Sequence, residues 1–121
     1  MMFELSIQED IASAHFLKGH EGKCKGLHGH NWKIEVCVVS DKLDEVGRVS
    51  DFAFLKKQLK EFLSGIDHVC LNELDDFKDH NPTTENIAKY IYDHFGKIIL
   101  PLSLKSVQVW ESETSSVKYY L

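Results

Sequence analysis

The strongest constraint on this chain is a two-residue rhythm in its first third. Phe3, Leu5 and Ile7 alternate with Met2, Glu4, Ser6 and Gln8, and further on Trp32, Ile34, Val36 and Val38 fall at every second position. Residues two apart in an extended chain lie on one face, so each segment reads as a strand with a buried and a solvated side. The first strand is expected to run to His15 and the second from His30 to Val39. Between them Gly19, Gly22, Gly26 and Gly29 sit among charged residues, which marks a loop able to approach a ligand closely. A turn over Ser40 to Gly47 then returns the chain through Val49.

The period changes after that turn. Phe52, Leu55, Leu59, Phe62 and Leu63 recur at helical spacing behind Ser50 and Asp51, which predicts a capped helix from about Asp51 to Leu63. A second helix opens at Pro82-Thr83-Thr84-Glu85-Asn86, where a threonine can cap free amides and Glu85 complements the positive helix end. Ile87, Ile91, Phe95 and Ile98 mark its inner face. Lys105 to Glu111 and Ser116 to Leu121 form a closing hairpin around a Ser/Thr-rich turn. Strands, then helices, then strands indicate an α+β fold: a mostly antiparallel four-stranded sheet with two helices on one face. At 121 residues the chain is expected to be a single domain over 1–121.

Composition narrows the function. A net charge of -5 with scattered lysines argues against a nucleic-acid surface. No apolar run reaches the roughly 20 residues needed to span a bilayer, and the start lacks a signal-peptide layout, so no membrane partner and a cytoplasmic location are expected. Cys24, Cys37 and Cys70 form no CxxC pair, which suggests neither a disulfide framework nor a Cys-rich structural zinc site. Cys37 and Cys70 read as small buried hydrophobes, whereas Cys24 lies between Lys23 and Lys25.

Histidines carry the chemistry. Seven in 121 residues give about 0.4 His-x-His pairs by chance, so His28-Gly29-His30 alone proves little. Parity adds to it: His15 continues the odd-numbered apolar face of strand one, and His28 and His30 continue the even-numbered apolar face of strand two. Inward imidazoles are costly unless hydrogen-bonded or ligated, so three at strand ends favour a metal. Three imidazoles leave one tetrahedral position of Zn2+ open, as a catalytic rather than structural site requires. Nearby lysines and a metal would favour the Cys24 thiolate, the form that takes a proton. Glu111 continues the inward set of Val107 and Val109, although Glu113 shares its parity and either could end in water. Asp67-His68 offers a carboxylate-oriented histidine; His20, His80 and His94 read as surface residues.

The string Cys24-Lys25-Gly26-Leu27-His28-Gly29-His30-Asn31 resembles the signature of the 6-pyruvoyl-tetrahydropterin synthase superfamily, and its cysteine spacing is similar to that of the 6-carboxy-tetrahydropterin synthase branch of queuosine biosynthesis. Ser13-Ala14-His15, Val49-Ser50-Asp51-Phe52, Ile66-Asp67-His68 with Leu71-Asn72, Pro82-Thr83-Thr84-Glu85-Asn86 and Glu111 follow in the family's order over nearly the whole chain. The resemblance implies a tunnelling fold whose sheets join in trimers, two of which stack into a homohexamer with active sites between subunits. It implies His15, His28 and His30 as zinc ligands, Cys24 as proton acceptor, Asp67, His68 and Glu111 as relay and pterin-holding groups, and Thr83 and Thr84 at the pterin. For the threonines, helix capping is an alternative that does not exclude contact.

The implied reaction turns 7,8-dihydroneopterin triphosphate into 6-carboxy-5,6,7,8-tetrahydropterin with loss of triphosphate and acetaldehyde. Its redox change is internal, in keeping with the absence of a GxGxxG fingerprint. Two alternatives stand beside it. One is 6-pyruvoyl-tetrahydropterin synthesis, which stops after triphosphate elimination; the other is a zinc- or pterin-binding module without chemistry.

Overall fold

A computed structural model describes residues 2–19 and 26–121. Strand β1, Phe3–His15, pairs antiparallel with β2, His28–Ser40; helix α1, Phe52–Leu63, and helix α2, Thr84–Ile98, precede strands β3, Ser103–Ser112, and β4, Ser115–Tyr120. Two single-turn 3-10 helices, Leu71–Glu73 and Asp75–Phe77, join the α-helices. The sheet runs β1-β2-β3-β4, antiparallel throughout. This is the α+β architecture that the alternation of periods implies.

Strand parity sets the layers. Leu5, Ile7 and Ile11 of β1, Trp32, Ile34, Val36 and Val38 of β2, and Val107 and Val109 of β3 are buried under the helices. Burying each such side chain contributes about 1.5–3 kcal/mol. Leu55, Leu59 and Leu63 of α1 and Ile87, Ile91 and Phe95 of α2 face them from the other layer. The opposite sheet face is polar, with Gln8 donating to Glu35, Glu4 paired with Lys105 and Lys33 lying over the Trp110 ring.

Capping occurs where the sequence placed it. Asp51 accepts from the Ala53 amide at 2.9 Å, and Thr83 accepts from the Asn86 amide at 3.1 Å. Three sequence expectations need correction. Ile98 is 46% exposed and Ile99, just past α2, fills the core instead, because a residue four beyond Phe95 lies nearer its face than one three beyond. Phe52 is 59% exposed although helical geometry puts it on the Leu55-Leu59-Leu63 side: it is the first residue of α1, at the helix end. The turn expected before Val49 is closed by Asp44, which accepts from the Val46 and Arg48 amides. Cys70 is only partly buried, unlike Cys37.

Among the described residues, the outer edge of β1 is covered at its C-terminal end alone. Asp67 accepts from the Ala12 amide at 2.8 Å, His68 N–H donates to the Ala12 carbonyl, and Ala14 N–H donates to the Val69 carbonyl at 2.9 Å. Beyond it, Asn72 and Asn81 each clamp one residue of the outgoing chain. Asn72 accepts from the Phe16 amide and donates to its carbonyl, both at 2.9 Å, and Asn81 does the same for Lys18 at 2.8 Å. No helix among the described residues is long and apolar enough to cross a membrane.

Candidate metal centre

The end of β1 and the start of β2 lie side by side, with His15 opposite His28 and Ser13 opposite His30. Inward parity turns all three imidazoles toward the start of α2. His15 is 2% exposed, and its Nδ1 lies 2.7 Å from the Pro82 carbonyl oxygen at the entrance to that helix. His28 Nδ1 lies 2.7 Å from the Gly26 carbonyl oxygen. A carbonyl can only accept, so both Nδ1 atoms carry the hydrogen and both Nε2 atoms present a lone pair when the rings are neutral. Those two Nε2 atoms are 3.0 Å apart.

Two lone pairs held that close repel unless a cation lies between them. A shared proton would serve this pair, but it would leave His30 unserved: its Nε2 is buried without a hydrogen-bond partner. Glu111 Oε1 is 3.3 Å from that atom, close enough for ionic attraction but outside hydrogen-bond geometry. One ligand atom from each of His15, His28, His30 and Glu111 lies within 4.8 Å of all the others. Imidazole nitrogens with one carboxylate are a donor set that suits zinc among divalent metals.

Glu111 gets there through an irregularity in β3. The register shifts between Trp110 and Ser112, leaving Glu111 without a cross-strand partner. Its Oε2 accepts from Thr84 Oγ1 at 2.9 Å. Glu113 is exposed, so the parity ambiguity resolves in favour of Glu111. Where the sequence suggested a group beyond the ligand shell, the structure brings Glu111 within reach of it.

Burial holds both His15 and His30 below the ordinary histidine range; it outweighs the Pro82 carbonyl at His15 and the Glu111 carboxylate at His30, each of which acts the other way. Neutral imidazole is the ligating form, so the fold favours the state a metal needs. A folded-state pKa below the unfolded value means that the unfolded chain takes up protons first as pH falls. Metal-free protein is therefore expected to lose stability from pH 7.5 to pH 5.5, across the unfolded histidine value of about 6.5. Denaturant midpoints measured in chelator at the two pH values check this, and equal midpoints contradict it.

The remaining site residues fall into two groups. Thr83 and Thr84 lie at the start of α2, the first capping the helix and the second holding Glu111. Asp67 and His68 stand apart from the imidazole cluster, on the segment that covers the β1 edge. His68 Nδ1 is 2.9 Å from Asp67 Oδ1, so the expected carboxylate-histidine pairing exists. The Ala12 amide is the main cause that lowers the Asp67 pKa, with His68 adding to it. His68 adopts φ 58, a left-handed conformation costly for a side-chain-bearing residue and concentrated at functional positions. Its side chain is 80% exposed, and with His30 it lines an open depression bordered by Ala14, Gly29 and Asn31. Cys24 and His20 lie outside the described residues; His80 and His94 are exposed, as expected. Sequence reasoning missed the carbonyls of Pro82 and Gly26, which carry no side-chain signature. It could have weighed Asn72 and Asn81, whose amides suit them to bracket a backbone.

The family model described as 6-pyruvoyl tetrahydropterin synthase matches residues 4–121. The chain is 40% identical to a 6-carboxy-5,6,7,8-tetrahydropterin synthase of Synechocystis sp. over 89% of its own length and 85% of that protein's. It is 36% identical to the human 6-pyruvoyl tetrahydrobiopterin synthase, over 81% of this chain and 70% of the human one. The solved 6-pyruvoyl tetrahydropterin synthase of Caenorhabditis elegans superposes with a TM-score of 0.89 at 25% identity, covering 100% of this chain and 96% of that one. The tunnelling fold expected from the sequence motifs is thus the fold observed, and the chain belongs to the 6-pyruvoyl tetrahydropterin synthase family.

Proposed function

We propose that this chain is a zinc-dependent lyase converting 7,8-dihydroneopterin triphosphate to 6-carboxy-5,6,7,8-tetrahydropterin, with release of acetaldehyde and triphosphate, as a cytoplasmic step of queuosine biosynthesis. The observation that carries the metal part is the tautomer clash: Nε2 atoms of His15 and His28 at 3.0 Å, both obliged by carbonyls to offer lone pairs, beside an unpartnered His30 Nε2. His15, His28 and His30 would hold the ion. When bound, zinc supplies Lewis acidity at the substrate side chain.

Glu111, oriented by Thr84, is suited to accept from the N–H groups of a pterin ring, with Thr83 and the α2 amide end beside it. Cys24, assigned on sequence alone, takes the proton from the substrate side chain. His68, with Asp67 fixing its ring, moves protons at an exposed position. In a single chain that pair stands apart from the imidazole cluster, which supports a site completed between copies. Among the described residues β1 from Phe3 to Asp10 and all of β4 offer open sheet edges, in keeping with a homo-oligomer of the hexameric kind.

The pyruvoyl product is the second reading, favoured by the likeness to the human protein. Incubation with zinc and dihydroneopterin triphosphate separates them. Acetaldehyde with a carboxy-pterin is the expected outcome; a pyruvoyl product makes the second reading correct, and unchanged substrate removes catalysis altogether.

A further inference from the structure

His15 and His28 are each oriented by a carbonyl on Nδ1, but among the described residues no hydrogen bond orients His30. What His30 touches instead is aromatic. Trp32, fully buried and two residues further along the same face of β2, has its ring centroid 5.1 Å from His30 at 72° and 5.0 Å from His15 at 86°. Both contacts are edge-to-face, the arrangement that the ring quadrupole favours. The indole is itself fixed, because Nε1 donates to the Ser13 carbonyl at 3.2 Å and the Ser13 hydroxyl donates to the Ile66 carbonyl.

We propose that Trp32 is the positioning residue of the metal centre: its anchored indole is the wall that sets the angle at which His30 and His15 present Nε2. A ligand ring with a fixed neighbour loses no freedom on binding an ion, whereas one facing a gap must be ordered at the cost of affinity. Trp32 thus does through packing what Pro82 and Gly26 do through hydrogen bonds. The inference rests on the metal reading above and assigns a residue that the ligand set alone does not include.

The test is zinc affinity by chelator competition, and the visible spectrum of the cobalt(II) form, for Trp32→Phe, Trp32→Leu and Ile34→Ala. Ile34 lies on the same buried face four residues beyond His30, so it reports a loss of packing. Trp32→Leu is expected to weaken zinc about 10- to 100-fold, the usual effect of removing a group that orients a ligand. Trp32→Phe, which keeps an aromatic edge but loses the Ser13 anchor, should fall between it and the parent. Both should shift the cobalt bands. Ile34→Ala should lower the melting temperature of metal-free protein while leaving zinc affinity within about twofold. If Trp32→Leu does not fold, Trp32→Phe decides. Trp32 variants that bind zinc as the parent does, with unchanged cobalt bands, overturn the assignment and leave the metal reading intact. A parent that binds neither zinc nor cobalt sinks the metal reading, and this assignment with it.

Discussion

Replacing His28 by alanine is expected to strip the protein of zinc and to lower turnover by about a thousandfold or more, equivalent to some 4 kcal/mol of transition-state stabilisation. Catalytic zinc is commonly held by three protein ligands, and two rarely retain it. His28 is the informative choice because it is only partly buried, so its loss removes a ligand without hollowing the core. Its removal also relieves the 3.0 Å approach of two Nε2 atoms, so metal-free His28→Ala should be no less stable than the metal-free parent. Metal analysis of the purified variant, alongside exposed His80→Ala as a control, checks the assignment. Full occupancy in His28→Ala would place the ion elsewhere.

Cys24→Ala is expected to separate metal from chemistry in the other direction. The variant should keep one zinc per chain and lose turnover by about 10²- to 10⁴-fold, the range for removal of a positioned acid-base group. Cys37→Ala and Cys70→Ala should keep activity: the Cys37 thiol is pushed up by burial, which disfavours its thiolate, and both lie outside the imidazole cluster. Loss of zinc in Cys24→Ala would make the thiol a ligand and end its assignment as proton acceptor.

How much of this was legible in advance follows from what each feature depends on. Alternation of apolar residues is a local property, so the strands, their inward faces and the convergence of His15, His28 and His30 could be read from spacing alone. The Asp51 and Thr83 caps are equally local. Glu111 was only half legible: parity aimed it inward, but the register shift that frees it depends on how β4 pairs with β3. Its link to Thr84 joins residues that are 27 positions apart. The tautomers of His15 and His28 were invisible, because backbone carbonyls set them. Asp67 shows a second limit. Read as an orienting carboxylate, it also closes an edge amide of β1, a structural duty no dipeptide announces. Ile98 was misjudged because three and four residues beyond Phe95 both fall near its face, and the nearer of the two is Ile99.

The opposition of His15 to His28 has a consequence for biogenesis. A hairpin displaced by a single residue would send one strand's histidines to the polar side, so that slip could not present all three imidazoles together. On the proposed zinc reading, metal uptake would discriminate against that slip. Chains zipped in the native register would then capture the ion, and capture would withdraw them from the pool that can still unzip.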